Sequence, residues 1–312
     1  MIKTLGMEIF SDISAIPHHA KGSVIAIGNF DGVHKGHQEL IKQASHIAKE
    51  HGCQLGILTF EPHPRRLFQP DQPPGRITPA AMKARRLSAQ GADYLFSLPF
   101  DWEFASQTAE DFIQNVLLNG LKAAHVVVGE NFCFGQLRKG SPATIKEAGI
   151  KVTLVAPVLD SLNEVISSSR TREALRTGQI EKANALLGWE WEIEGIVFRG
   201  DRRGHELGYP TANILMKDTI HPAYGIYATR VQIEGEDEWH PAATNIGIRP
   251  MFEVKEGQVE AHILNFPDRD IYDKTIRVRP IKRLRGEAKF NSLDDLIIQM
   301  EKDCTKALEI LS

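Results

Sequence analysis

The residues best suited to chemistry follow an apolar run at residues 23–27 and combine a glycine-rich turn with two histidines. Gly28 and Gly36 allow the backbone to turn sharply and to approach a ligand closely. His34 and His37 can both donate hydrogen bonds to phosphate oxygens, and a helical pattern that starts at about His37 adds free amides and a favourable dipole. The stretch indicates an anion site of the kind that nucleotidyl transfer needs; the alternative is that the histidines only cap a helix.

Further segments of the first half carry groups that suit a flat ring or a phosphate. Asn131, Phe132 and Phe134 offer an amide and two aromatic faces to a heteroaromatic ring, unless the two rings fill the core. Arg172 follows three serines at a helix start and can hold a phosphate through two hydrogen bonds, although capping alone explains the serines. Residues 59–64 end another strand pattern, so they line the same crevice or form an ordinary turn.

The second half carries a glycine-rich loop followed by two oxygen-bearing side chains. Gly200, Gly204 and Gly208 permit a mobile loop over phosphates. Thr211 and Asn213, two residues apart on a predicted strand, face the same side. Their hard oxygen atoms suit Mg²⁺ that bridges ATP phosphates. The alternative is that both residues simply lie on the solvent-exposed face of a strand.

Glu260 is the candidate base of the second half. In the predicted strand at residues 259–264, Glu260 and His262 share one face, while Val259 and Ala261 share the other. Beside a metal–phosphate site, this carboxylate can accept the proton of an alcohol that attacks a γ-phosphate. The pattern alone favours an ordinary solvated glutamate.

Strand and helix patterns alternate through the first half and place the candidate residues at the ends of strands. Strands are predicted at residues 23–27, 55–60, 94–98, 125–128 and 152–155, and helices at residues 37–51, 79–89 and 108–119. This alternation predicts a mainly parallel, doubly wound, Rossmann-like sheet of the α/β class.

The pattern of predicted elements changes near residue 188. Short strand patterns at residues 191–198, 226–233, 259–264 and 275–279 predict a small antiparallel β-barrel, and an amphipathic pattern over residues 293–311 predicts one terminal helix. We therefore expect an α/β domain at residues 1–187 and a mainly β domain at residues 188–312.

Composition argues against several classes of protein. With 25% charged residues and a net charge of −3, the chain lacks the positive balance of a nucleic-acid binder. The basic stretch at residues 277–285 is therefore expected to be a solvated strand edge. No apolar run reaches the roughly 18 residues of a membrane helix. Three distant cysteines indicate a reducing cytoplasm, and the oligomeric state stays open between a monomer and a weak oligomer.

Taken together, these segments resemble the bacterial bifunctional riboflavin kinase/FMN adenylyltransferase family, over about residues 23–303. The resemblance rests on GNFDGVHKGH, TFEPHP, VGENFCFG, ISSSRTR, the loop that ends in PTAN, NIGIRP and VEAHIL. It implies ATP-dependent phosphorylation of riboflavin to FMN in the second domain. In the first domain it implies adenylylation of FMN to FAD with release of pyrophosphate. ATP is the implied co-substrate and Mg²⁺ the implied cofactor.

The resemblance also implies a role for each candidate residue. His34, His37 and Arg172 act in adenylyl transfer, and Glu260 is the catalytic base of the kinase. The ATP- and phosphate-binding residues are Gly28, Asn29, Phe30, Asp31, Gly36, Ser167, Ser168, Ser169, Gly200, Gly204 and Gly208. The flavin-binding residues are His63, Asn131, Phe132, Phe134 and Arg249, and the metal ligands are Thr211 and Asn213.

Three positions depart from the usual family pattern: Ser169 replaces threonine, Thr171 replaces an apolar residue and Met251 replaces threonine. We expect Thr171 to loosen local packing without abolishing activity. Two other functions remain as alternatives at this point. One is a nucleotidyltransferase that acts on a different small phosphorylated acceptor, and the other is a non-enzymatic flavin-binding or RNA-binding regulator.

Overall fold

A computed structural model describes residues 2–4, 6–200, 208–251, 254–267 and 269–312, with the backbone alone described at residues 2–4, 249–251 and 254–255. The chain forms two compact units, one of Met1–Gln72 with Thr78–Ser168 and one of Pro73–Ile77 with Ser169–Ser312. Residues 169–187 thus pack with the second unit, whereas the sequence places them in the first domain. The domain boundary at residue 187 stays a prediction.

A seven-stranded sheet forms the first unit. Its strands are β1 (Ile2–Thr4), β2 (Met7–Phe10), β3 (Val24–Ile27), β4 (Leu55–Glu61), β5 (Tyr94–Pro99), β6 (His125–Gly129) and β7 (Val152–Val155). Their order is β1-β2-β5-β4-β3-β6-β7; β1 is antiparallel to β2, and the other neighbours are parallel. The predicted mainly parallel sheet is confirmed, but the sequence did not predict β1 and β2.

Helices cover both faces of this sheet. They are α1 (Lys35–Glu50), α2 (Pro64–Phe68), α3 (Ala80–Ala89), α4 (Trp102–Ala105), α5 (Ala109–Asp111), which continues as a wider π-helix over Phe112–Gly120, and α6 (Pro142–Glu147). The central strand β3 serves two cores. Val24 and Ala26 pack in the core that includes α1 and α3, while Ile25 and Ile27 pack in the core that includes the π-helix and α6. The predicted doubly wound arrangement is therefore confirmed.

A six-stranded antiparallel sheet forms the second unit. Its strands are β8 (Ile193–Ile196), β9 (Ala212–Leu215), β10 (Gly225–Ile233), β11 (His240–Met251), β12 (Val254–Ile263) and β13 (Thr275–Arg285), in the order β8-β13-β10-β11-β12-β9. The two outer strands approach each other, because the Phe198 amide donates to the Asn213 carbonyl at 2.9 Å. The sheet is thus a nearly closed barrel, as predicted.

Three helices accompany the barrel: α7 (Ser168–Arg176), α8 (Ile180–Leu187) and the terminal α9 (Leu293–Leu311). The predicted terminal helix is confirmed. Its Ala307 packs against Ala228 of β10 and Leu264. Within the part of the chain that the structure describes, no helix is both long enough and apolar enough to cross a lipid bilayer.

Candidate active sites

The glycine-rich turn leaves β3 at Gly28 and enters α1 at Lys35. Phe30 (φ 49°) and Val33 (φ 38°) lie in the left-handed backbone region, which is uncommon for any residue except glycine, and both side chains are buried. Backbone strain of this kind persists only where the surroundings impose it, and it is concentrated at functional sites. The turn is therefore a fixed structure rather than a loose connection.

The buried Asp31 side chain stabilises this turn through hydrogen bonds. Its Oδ1 accepts hydrogen bonds from the backbone N (3.0 Å) and Oγ1 (3.2 Å) of Thr78, and the same Oγ1 accepts from the Gly32 amide at 2.9 Å. Ser168 Oγ donates to the carbonyl oxygen of Asp31 at 2.8 Å, so the serine segment reaches the turn. These contacts of Asp31 are structural, and its part in ATP binding stays a prediction.

His34 caps helix α1. The helix begins at Lys35, so the predicted start at His37 is wrong. His34 Nδ1 accepts a hydrogen bond from the His37 backbone N at 3.3 Å, and the two imidazole rings stack with their centroids 3.6 Å apart. A neutral imidazole that accepts at Nδ1 carries its proton on Nε2. His34 therefore does cap the helix, and its predicted contact with a phosphate stays a prediction.

A cavity of about 720 Å³ in the first unit is lined by Gly28 and Asn29 of the turn. The cavity also brings together Asn131, Phe132 and Phe134, whose two rings stack at 5.5 Å. Phe60 and Pro64 of the segment at residues 59–64 line it as well, as predicted. Sequence reasoning did not single out the other aromatic residues of its wall, which are Phe68, Phe100, Trp102, Phe104 and Phe112. An apolar, aromatic cavity with few polar groups suits a flat heteroaromatic ring.

Two of these aromatic residues are unusually exposed. Phe68 is 56% and Trp102 63% exposed, and their rings meet edge to face with centroids 5.7 Å apart. Large exposed aromatic side chains that border a cavity commonly mark a binding surface. A bound ring is therefore expected to cover them.

His63 and Lys83 have contacts that the sequence did not predict. His63 caps α2, with its Nδ1 accepting from the Arg65 backbone N at 3.1 Å, and it is not among the described residues that line the aromatic cavity. Its flavin contact stays a prediction. Lys83 is buried, with Nζ 2.7 Å from Glu61 Oε1 and 3.1 Å from Thr59 Oγ1. An isolated lysine in a helical pattern gives no signal for this buried ion pair at the end of β4.

Arg172 lies on α7 in the second unit, where it is buried and its Nε donates to the Gly75 carbonyl at 2.6 Å. Thr171 beside it is fully buried, and Ser169 is exposed. The contact with Gly75 holds the Arg172 guanidinium in place. The predicted phosphate contacts of Arg172, Ser167 and Ser169 stay predictions.

Thr211 lies between two cavities of the second unit. One of about 670 Å³ includes Gly208, and one of about 340 Å³ includes Glu260. Asn213 Nδ2 donates to the Thr211 carbonyl at 3.0 Å, and Asn213 Oδ1 accepts from Gln258 Nε2 at 2.9 Å. The predicted metal ligands are thus neighbours. Gln258, which orients the Asn213 amide, was missed because its partner lies on another strand.

Gly200 lies close to the same amide. A Cβ atom at this position would lie 2.9 Å from Asn213 Nδ2, closer than real Cβ contacts allow. A larger residue at this position would therefore displace the Asn213 amide. Gly204 lies outside the described residues, as does the side chain of Arg249, and the roles of both stay predictions.

Glu260 stands in the middle of β12, where it pairs with Asn245 of β11 and Asn213 of β9. The predicted alternation is confirmed, since Val259 and Ala261 are fully buried in the barrel core while Glu260 faces the smaller cavity. The opposite wall of that cavity comes from α9, through Leu296, Met300, Asp303 and Cys304. The glutamate is therefore partly buried and shares a cavity with the helix.

Two features of this region bear on its electrostatics. Burial raises the pKa of the Cys304 thiol to about 11, with the Asp303 and Glu301 carboxylates adding to the shift. Among the described residues, no group of three or more His, Cys, Asp or Glu side chains is placed to hold a metal ion. A metal at Thr211 and Asn213 would thus be held by neutral oxygen atoms and need its charge balanced by a ligand.

The matches to known families identify the class of protein, the enzymes that transfer phosphorus-containing groups. The family model for FAD synthetase matches residues 16–170, and the family model for riboflavin kinase matches residues 187–311. The chain therefore belongs to the bifunctional riboflavin kinase/FMN adenylyltransferase family.

Individual relatives agree with the family models. The chain is 37% identical to the bifunctional riboflavin kinase/FMN adenylyltransferase of Bacillus subtilis, over 95% of this chain and 96% of the relative. It is 35% identical to the protein of the same name from Escherichia coli, over 93% of each. A crystal structure described as a macrolide-efflux protein from Streptococcus pneumoniae matches with a TM-score of 0.85 and 32% identity, over 96% of this chain and 97% of that one.

Proposed function

We propose that this chain phosphorylates riboflavin to FMN and then adenylylates FMN to FAD, with ATP as the co-substrate of both steps. The kinase is assigned to residues 188–312 and the adenylyltransferase to residues 1–187. One observation carries the assignment: each unit pairs a cavity with groups suited to phosphate chemistry. Thr211 and Glu260 line the cavity in the barrel, and Gly28 and Asn29 line the aromatic cavity in the first unit.

In the kinase, riboflavin occupies the smaller cavity and ATP the larger one. Both cavities are lined by Thr211, so the γ-phosphate and the ribityl 5′-hydroxyl meet at this residue. Glu260 accepts the hydroxyl proton while the oxygen attacks the γ-phosphorus and the bond to ADP breaks. Such a positioned base typically contributes about 10²–10⁴ in rate.

The Thr211 hydroxyl and the Asn213 amide oxygen fit Mg²⁺. Asn213 Oδ1 uses one lone pair for Gln258, which leaves the other for a ligand. Both donors are neutral, so the phosphate oxygens of ATP provide the balancing charge. When bound, the ion stabilises the negative charge that develops on the phosphates.

In the adenylyltransferase, the flavin ring of FMN lies among the aromatic side chains of the cavity in the first unit. An oxygen of the FMN phosphate attacks the α-phosphorus of ATP, and pyrophosphate leaves. His34 and His37, whose rings stack on each other, donate hydrogen bonds to the α-phosphate oxygens, and the amino terminus of α1 adds its dipole.

The basic stretch of β13 supports small-molecule partners over nucleic acid. Arg279 Nη2 lies 2.7 Å from Glu192 Oε1, and Arg285 Nη2 lies 2.7 Å from Asp303 Oδ2, so these charges are balanced within the second unit. We propose riboflavin, FMN and ATP as the partners and the cytoplasm as the compartment. The cysteines Cys53, Cys133 and Cys304 are all free thiols, which fits a reducing environment.

The test is a time course. Purified protein is incubated with riboflavin, ATP and Mg²⁺, and the three flavins are separated by chromatography. We expect FMN to rise and then to be consumed as FAD accumulates. Riboflavin that stays unchanged, or FMN that accumulates without FAD, overturns the corresponding half of the proposal.

A further inference from the structure

The cavity that holds Glu260 has walls from three parts of the second unit. The barrel supplies one wall, which includes Asn245 as well as Glu260, and α9 supplies another. The segment that joins β13 to α9 supplies the third, through Glu287, Ala288 and Phe290. The size of the cavity therefore depends on where α9 and this segment lie against the barrel.

One ion pair connects these parts. Arg285, in the last position of β13, donates from Nε to Asp303 Oδ1 (3.1 Å) and Oδ2 (3.0 Å), and from Nη2 to Oδ2 (2.7 Å). Gln299 Nε2 adds a hydrogen bond to Oδ1 at 3.0 Å. Asp303 is only 6% exposed, so its carboxylate depends on these partners rather than on water.

The same guanidinium also holds the connecting segment. Arg285 Nη1 donates to the Gly286 carbonyl at 3.0 Å, and the guanidinium carbon lies 5.8 Å from the centre of the Phe290 ring. Separately from this pair, α9 is attached to the barrel by apolar contacts of Ala307 with Ala228 and Leu264. The helix thus contacts the barrel through apolar residues as well as through the ion pair, and both residues of the pair line the cavity.

We propose that Asp303 and Arg285 are positioning residues for riboflavin phosphorylation, because their ion pair holds α9 and the β13–α9 segment at the spacing that fits the flavin. The inference rests on the proposed kinase function. Loss of one partner leaves a buried charge without its counter-ion, so the helix moves to hydrate it. The pair does not line the larger cavity, so the binding of ATP is unaffected.

The test compares Asp303→Asn with Glu309→Gln, which removes the same charge from an exposed position of the same helix. For Asp303→Asn we expect a riboflavin KM raised roughly tenfold, equivalent to about 1.4 kcal/mol, with the ATP KM and the kcat at saturating riboflavin within about twofold of the wild type. Glu309→Gln is expected to behave as the wild type. An unchanged riboflavin KM in Asp303→Asn, or an equal rise in both KM values, overturns the proposal.

Cys304 reports the position of the helix directly, since it lines the same cavity. Alkylation by iodoacetamide, read at Cys304 by peptide mass spectrometry, is expected to be slowed by riboflavin and to be several-fold faster in Arg285→Lys, which keeps the Asp303 carboxylate that raises the pKa of the Cys304 thiol. Equal alkylation rates in variant and wild type contradict the proposed shift of α9.

Arg285→Lys gives a second route if Asp303→Asn fails to fold. Lysine keeps the positive charge but lacks the planar guanidinium that donates to both carboxylate oxygens. We therefore expect a riboflavin KM between those of the wild type and Asp303→Asn. A wild-type riboflavin KM in Arg285→Lys overturns the proposal. Wild-type protein that phosphorylates no riboflavin refutes the kinase function instead, which separates the two failures.

Discussion

The two candidate sites hold their reactive side chains by different means. In the first unit, His34 is placed by a helix cap and by a turn in which Phe30 and Val33 take left-handed backbone angles. In the second unit, Glu260 is placed by strand register, between Asn245 and Asn213. His34 is placed by a continuous stretch of chain and Glu260 by strands that are distant in sequence, so the two are expected to respond differently to substitution.

The largest effect is expected at the register-based site. Glu260→Gln keeps the shape of the side chain but removes the base, so riboflavin phosphorylation should fall by about 10²–10⁴ in kcat. Adenylylation of supplied FMN should continue at the wild-type rate, because that site lies in the other unit. Chromatographic assays of the two half-reactions check this, and a matching loss of adenylylation contradicts the separation of the sites.

At the turn-based site, capping and catalysis can be separated. His34→Ala should lower adenylylation by roughly 10²–10³, as the loss of a charge-stabilising donor does, and should also lose a cap worth about 1 kcal/mol. His34→Asn is the matched variant, because asparagine is a good cap but lacks Nε2.

For His34→Asn we expect thermal stability close to the wild type with adenylylation as poor as in His34→Ala. Recovery of adenylylation in His34→Asn would show that only the cap matters. Melting curves and FAD formation from supplied FMN distinguish these results.

A smaller effect is expected from Gly200→Ala. The added Cβ would meet the Asn213 amide at 2.9 Å, and this side-chain end is able to move by a few tenths of an ångström. The displaced amide should raise the KM for Mg·ATP in the kinase step roughly tenfold, the cost of one weakened contact to a charged ligand. Initial-rate kinetics with varied Mg·ATP check this, and an unchanged KM removes Asn213 from the metal site.

The smallest effect is expected from Trp102→Ala at the edge of the aromatic cavity. A stacked aromatic contact is worth about 0.5–1.5 kcal/mol, so the KM for FMN in adenylylation should rise roughly two- to tenfold. Stability should change little, because the side chain is mostly exposed. Leu162→Ala, another exposed apolar residue of the same unit that does not line the cavity, should leave the KM for FMN unchanged.

The sequence predicted the elements that bear clear hydrophobic patterns. Buried runs mark β3 and β4, and the apolar face of residues 293–311 marks α9. The short strands β1 and β2 contain three and four residues, too few to show a period. The start of α1 was missed because histidine is not among the common capping residues.

Interactions between distant residues account for the rest of the site. The buried pair of Lys83 and Glu61, and the support of Asn213 by Gln258, each join residues that only the fold brings together. The amphipathic pattern of α9 predicts a helix with one buried face, but it does not show that this helix lines the same cavity as Glu260. The hydrophobic pattern of one segment therefore cannot predict a role that depends on how a helix packs against the barrel or on how strands pair.

The position of Glu260 on β12 also limits how this protein can change during evolution. Residues on a strand alternate between two faces, so deleting one residue from β12 before Glu260 would turn the carboxylate into the core and present a valine or an alanine to the cavity. Substitutions on this strand can be accepted one at a time, whereas single-residue insertions and deletions cannot. Lineages that keep the kinase should therefore preserve the length of this strand more strictly than its composition.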